Sequence, residues 1–244
     1  VLNESDYEHK RKLCSFGNPN QKEWYGIGLA ISYRGVSLGA EGTDVNSAII
    51  YVQPDGSVLL ETGVFENGQG AESAMILIAS EQLGLPIERI RYRMPSTSNI
   101  PDGGSTVASR GTIMGGGAVV NATKILKQIV TETVQKITGK SVVHFKNSKL
   151  LDATGEMIMP WEEAIKLCYN NQVYPYAFGV YQPPQISWNE ETGQGNAYFT
   201  WVYGCQAVEL KVNSQSGAVN LLNMIAAHDI GKVINPFALK GQYY

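Results

Sequence analysis

Two apolar runs, "SAIIYV" and "SVLLETG", flank Pro54-Asp55-Gly56. That pattern predicts a β-hairpin in which glycine supplies the positive φ of the turn. The period then changes. Ala71, Ala74, Met75, Ile78 and Ala79 fall on one face of a helix, which Gly84 and Pro86 bring to an end. "ERIRYRM" alternates like a strand, and "PSTSNIPDGG" is a loop of turn-forming residues. A long helix is predicted from about Thr106 to Thr138, with Ala118, Ala122, Ile125, Ile129 and Val130 on a shared face and Gly139 as its cap. "VVHFKNSKLLDATGEMIM" reads as an irregular hairpin, and Pro160 opens the helix "WEEAIKLCYNN" at a position that tolerates proline. Residues 200–231 read as two strands about Ser216-Gly217, and "FGNPNQ" near the start suggests turns. Hairpins, mixed sheets and packed helices in this order make an α+β protein. There is no repeat and no linker, and a subdivision, if the chain has one, is expected near residues 140–160.

A chain of 244 residues can bury a substantial core as one large domain or two modest ones. Its apolar and charged fractions, 43% and 17%, exclude a disordered tail. The net charge is −3 and the 19 Lys and Arg are scattered, which argues against a nucleic-acid groove. No apolar run approaches a membrane span, and the charged first residues are no secretory signal. Cys14, Cys168 and Cys205 are far apart and odd in number, so neither a disulfide scaffold nor a CxxC metal site is indicated and a reducing cytoplasm is expected. His9, His144 and His228 are equally isolated and read as surface or core histidines. With Val1 at one end and "FALKGQYY" at the other, the chain reads as a piece of something larger.

Three stretches carry candidate chemistry. In "ENGQGAE", Gly68 and Gly70 flank Gln69 where a helix starts. Helix starts expose unpaired N–H groups that favour anions, and glycine admits a ligand to the main chain. The alternative is an ordinary strand-to-helix turn. In "GGSTVASRGTIMGGG", Ser105, Thr106, Ser109, Thr112 and Arg110 gather at another start, a set suited to phosphate. The alternative there is a capping cluster on a helix thinned by Gly115–Gly117 for close packing. Neither a Walker loop nor a GxGxxG unit is present. In "HDIGKVINPFALKGQ", Asn235-Pro236 reads simply as the start of the last helix. No Ser/His/Asp set is apparent, and Glu162 and Glu163 suit a helix dipole without implying catalysis.

"PDGSV", "ENGQG", "GLPIERI", "STVASRGT", "CQAVELKVNSQSGAV" and "DIGKVINPFALKGQ", in this order from about Gly26 to Gln242, resemble the molybdenum-binding part of the xanthine dehydrogenase/aldehyde oxidase family, within its C-terminal half. The resemblance implies that residues 1–244 are part of a molybdopterin-binding region that stops short at its C-terminal end. It implies Mo-molybdopterin, in a cytosine dinucleotide form, as cofactor, and hydroxylation of an N-heteroaromatic or aldehyde substrate with oxygen from water. Electrons would leave through iron–sulfur clusters and FAD on partner subunits, so the implied partners are the other molybdopterin-subunit half, an iron–sulfur subunit and a flavin subunit.

By residue, Asn67 and Gln69, with Gly68 and Gly70, match the loop that touches the pterin. Ala108 matches an alanine whose main chain faces the metal, and Ser109 and Thr112 match phosphate-tail positions, with Arg110 and Gly111 between them. Gln242 matches a further cofactor contact, and Leu38 falls about where the family has a substrate-pocket wall. Gly111 departs from the family's second serine, which removes one phosphate hydrogen bond. The family's catalytic glutamate belongs to a Gly-Glu-Pro-Pro-like stretch beyond the matched residues, so no residue here is assigned as catalytic; Glu66 is read as structural. The alternative function is a cofactor-binding scaffold without turnover of its own.

Overall fold

A computed structural model describes residues 1–15 and 20–243. Two short helices, α1 (Leu2–Ser5) and α2 (Tyr7–Lys12), precede a long strand, β1 (Glu23–Gly35). Then come β2 (Asn46–Val52), β3 (Val58–Thr62), α3 (Ala71–Leu83), β4 (Ile90–Tyr92) and α4 (Gly116–Thr138). β5 (His144–Lys146), β6 (Lys149–Leu151) and β7 (Met157–Pro160) lead into α5 (Trp161–Asn170). β8 (Tyr176–Tyr181), β9 (Ser187–Asn189), β10 (Gln194–Asn196), β11 (Trp201–Asn213), β12 (Val219–Asp229) and α6 (Pro236–Tyr243) complete the chain. Helices beside several small sheets make the α+β class that the sequence predicts.

The chain forms two compact units: residues 36–199 with 234–239, and residues 1–35 with 200–233 and 240–244. The divisions therefore fall at Gly35/Val36, Phe199/Thr200, Val233/Ile234 and Leu239/Lys240, and none lies near residues 140–160. Chain segments far apart in sequence share a unit, which no local composition change announces.

The larger unit is built on a sheet in the order β4-β3-β2-β8, in which β3 and β4 run parallel and the other pairs antiparallel. The predicted hairpin is β2–β3, with Gly56 at φ 83 in its turn. Ile50 and Leu60 from the sheet, Met75 and Leu83 from α3, Val119 and Leu126 from α4, and Trp161 and Ile165 from α5 are fully buried in one core. Each such side chain contributes about 1.5–3 kcal/mol through removal of apolar area from water. Gly84 ends α3 in the left-handed conformation, as the sequence suggests. β5, β6 and β7 form a three-stranded meander in place of a single irregular hairpin. The strand expected over "ERIRYRM" is shorter: Ile87–Arg89 is a 3-10 turn and only Ile90–Tyr92 pairs. Asn235 caps α6 by accepting from the amides of Phe237 and Ala238, both at 3.1 Å.

The smaller unit holds β1, β11 and β12 in one antiparallel sheet, β1 pairing with β11 along all 13 residues. Lys10 on α2 reaches Glu209 at 2.6 Å, and the Tyr25 hydroxyl donates to the same carboxylate at 2.8 Å. The turn expected at "FGNPNQ" has Phe16, Gly17, Asn18 and Pro19 outside the described residues. Cys14, Cys168 and Cys205 are free thiols, and no described helix is long and apolar enough to cross a membrane.

Candidate functional site

Three loops of the larger unit carry the candidate residues other than Gln242. The first leaves β3 and turns into α3. Gly68 and Gly70 have φ of 100 and 80, which only glycine adopts without strain, and a Cβ on either would meet open space. These glycines therefore serve the curvature of the chain. The chain curves around Glu66, whose carboxylate accepts from the amides of Gly68 (2.8 Å), Gly70 (2.9 Å) and Glu72 (3.0 Å). Partial burial alone would raise the Glu66 pKa, but these amide hydrogen bonds outweigh it and hold the carboxyl below its ordinary value. The helix start expected to be open to an anion is thus closed by the protein's own carboxylate. Glu66 is structural, as the sequence reading has it.

Gln69 is exposed and braced on its own loop. Its Oε1 accepts from the Asn67 amide, and its Nε2 donates to the Phe65 carbonyl at 2.8 Å. A primary amide has two donors and two lone pairs, so one of each stays available to a ligand with the side chain already fixed. Asn67 lies exposed beside it.

The second loop departs from the predicted helix. Ala108 and Ser109 have φ of 49 and 54, so no helix runs from Thr106; a π turn spans Gly111–Gly115 and the α-helix begins at Gly116. Consecutive non-glycine residues in the left-handed region are costly, and they and π turns concentrate where function demands them. Ser109 and Thr112 are exposed, and no hydrogen bond from either hydroxyl is found among the described residues. The first amides of the π turn have, as at any helix start, no partner within the helix. This start is open.

Gly115–Gly117 behave as the packing reading expects. A Cβ on Gly116 would come within 2.7 Å of Ile78 on α3, and one on Gly115 would collide with Val64. Gly111 differs: a Cβ there would lie 3.5 Å from Val64, an ordinary contact.

Arg110 corrects a sequence expectation. Its guanidinium is buried, forms an ion pair with Asp44, and donates to the carbonyls of Ser105 (2.9 Å) and Val45 (3.2 Å). It supports the loop from behind and has no reach to a phosphate outside. Burial would raise the Asp44 pKa, but hydrogen bonds from Arg110 and the Leu38 amide, with the Arg110 charge, bring it below the usual range.

The third loop, residues 36–44, thereby joins the second. Leu38, half-buried, donates its amide to Asp44 at 3.1 Å, and the Ser37 amide donates to the Ala108 carbonyl at 3.0 Å. Asn46 donates from Nδ2 to the Gly103 carbonyl at 3.1 Å, where Gly103 and Gly63 are in direct backbone contact. The structure thus gathers Leu38, the Asn67–Gly70 turn and Ala108–Thr112 around the ends of β2 and β3. Asp44 and Asn46, which make the gathering, carry no local signal in the sequence.

Gln242 lies exposed on α6 in the smaller unit, next to Tyr243, whose ring is 5.2 Å from that of His228. His9, His144 and His228 are all exposed, and among the described residues no three His, Cys, Asp or Glu gather as a metal site. Glu162 does more than suit a dipole: it pairs with Arg89 at 2.6 Å.

Comparison with known proteins places this geometry in context. The model of the molybdopterin cofactor-binding domain matches residues 1–244. Xanthine dehydrogenase/oxidase of Gallus gallus is 30% identical over 244 residues, which are 99% of this chain and 16% of that protein. Aldehyde oxidase 4 of Cavia porcellus is 30% identical over 236 residues, 96% of this chain and 16% of that protein. CO dehydrogenase from Oligotropha carboxidovorans has the same fold, with a TM-score of 0.82 at 22% identity over 99% of this chain and 31% of its own. The chain spans about a sixth of the length of the curated relatives it matches.

Proposed function

The chain belongs to the molybdopterin cofactor-binding domain family, of the xanthine dehydrogenase/aldehyde oxidase kind, and from that premise we propose that it holds the phosphate tail of a Mo-molybdopterin cofactor at Ser109–Thr112 as one component of a larger molybdenum hydroxylase. One observation carries this reading: the Glu66 carboxylate fills the start of α3, whereas at the π turn no carboxylate takes the first amides and Ser109 and Thr112 are exposed, with no hydrogen bond from either hydroxyl among the described residues. Charge-assisted hydrogen bonds from Ser109 and Thr112 suit a diphosphate, as in a cytosine dinucleotide form. Asn67 and the spare donor and acceptor of Gln69 suit the edge of a flat polar ring. Ala108 offers its main chain beside them, and Leu38 lines the approach taken by an N-heteroaromatic or aldehyde substrate. Gln242 is an additional cofactor contact.

The bound group supplies the two-electron redox chemistry of hydroxylation with water-derived oxygen. The residues of this chain bind and orient. Glu66 is held by three amides and Asp44 by Arg110, so neither carboxylate is free to take a proton from a reacting water. That favours a module whose turnover depends on the other molybdopterin-subunit half, with iron–sulfur and flavin subunits receiving the electrons. The corresponding second reading is a cofactor scaffold without chemistry of its own.

Molybdenum and pterin recovered with the purified protein test the binding reading. The double substitution Ser109→Ala/Thr112→Ala is expected to reduce both by about tenfold or more, as loss of two hydrogen bonds to a charged group implies. Unchanged recovery would refute it.

A further inference from the structure

We propose that Asp44 and Arg110 form a clasp that locks the Leu38 loop to the Ala108–Thr112 loop, so that the wall of the substrate approach and the cofactor cradle are positioned as one rigid body. This rests on the cofactor reading of Ser109–Thr112 given above and adds to it two positioning residues that touch neither cofactor nor substrate.

Backbone strain is the first observation. Ser37, Ala108 and Ser109 all lie in the left-handed region, at φ of 77, 49 and 54, and none is glycine. Two of the three are directly bonded, through the Ser37 amide and the Ala108 carbonyl at 3.0 Å. Such conformations persist only where the surroundings over-determine them.

Placement of the ion pair is the second observation. The Asp44 side chain is 1% exposed and that of Arg110 3%. One carboxylate oxygen accepts from Nη2 and Nε of Arg110, and the other from the Leu38 amide and from Nε at 3.2 Å. Asp44 thus holds both loops at once. Arg110, through its bonds to the Ser105 and Val45 carbonyls, fixes the ascending limb of one loop and the descending limb of the other.

The consequence is geometric. Arg110 lies between the two residues proposed to bind phosphate, and its side chain points inward, so Ser109 and Thr112 are left on the opposite, solvent side. A buried ion pair is a poor source of net stability compared with a well-packed apolar pair, but removing one partner strands a charge. Its use here is to specify one loop geometry. The planar guanidinium makes the fork that a lysine ammonium does not reproduce.

The test combines amide hydrogen exchange, thermal melting, and molybdenum and pterin content. Arg110→Lys keeps the charge and is expected to fold; exchange is expected to accelerate together in residues 36–42 and 104–112, with cofactor content down about tenfold, the effect of losing roughly one charge-assisted hydrogen bond. Asp44→Leu combined with Arg110→Met is expected to regain stability lost in either single variant, while cofactor content stays low. A purely structural pair would regain both, and that result overturns the proposal, as does acceleration confined to one loop in Arg110→Lys. If both loops loosen together and cofactor content is untouched, the clasp stands as a loop lock while the cofactor reading, and with it the positioning role, is overturned.

Discussion

Two helix starts in the larger unit look alike in sequence and differ in chemistry. At α3, Gly68 and Gly70 bend the chain around Glu66, and the carboxylate fills the site that an external anion would take. At the π turn, Ala108 and Ser109 take the left-handed bend without glycine, the charged side chain is turned inward onto Asp44, and the hydroxyls face out. A glycine-rich helix start is therefore not in itself a phosphate site. What decides is whether a neighbouring acid has already neutralised it.

The comparison can be broken most severely at the open start. Arg110→Met should destabilise the protein by about 3–5 kcal/mol, since it leaves a buried carboxylate without its partner; a denaturant titration measures the change. At the closed start, Glu66→Ala removes three amide contacts at a partly exposed site and should cost about 0.5–2 kcal/mol, the range for losing a helix cap. The same melts resolve the difference in size.

Acid gives a smaller effect on both. Asp44 and Glu66 have folded-state pKa values below their ordinary ones. Each thus contributes stability that is fully present above the ordinary carboxylate pKa of about 4 and is lost as pH falls through the folded value. Stability should be flat from pH 7 down to about 5 and then decline, and Glu66→Gln should make the decline shallower. An equally steep decline in that variant would remove Glu66 from the account. Smallest of all, Gly111→Ser should leave the melting temperature within about 2–4 °C, because a Cβ fits there at van der Waals distance. It should also raise cofactor retention by adding a third hydroxyl.

Elements with strong local punctuation were legible in the sequence. The β2–β3 hairpin follows from Pro54-Asp55-Gly56, α3 from its apolar face and Gly84, and α6 from Asn235-Pro236. β1, by contrast, gave no clear signal: "EWYGIGLAISYRG" carries three glycines and pairs with β11, more than 160 residues away. The helix predicted from Thr106 started too early because nothing in the local residues announces a left-handed Ala-Ser pair, which the Ser37 contact and the Arg110–Asp44 pair impose from a distance. The same holds for the site. Ser109, Thr112 and Gln69 were readable as candidates from type and order, whereas Asp44 and Asn46, 66 and 57 residues from their partners, became visible only in three dimensions.

The most direct measurement follows backbone amide shifts while cytidine diphosphate is added to the protein. The account predicts that Ser109, Gly111, Thr112 and Ile113 move, while Gly68, Gly70 and Glu72 stay fixed under Glu66. Movement at Gly68–Glu72 with Ser109–Ile113 undisturbed would contradict it.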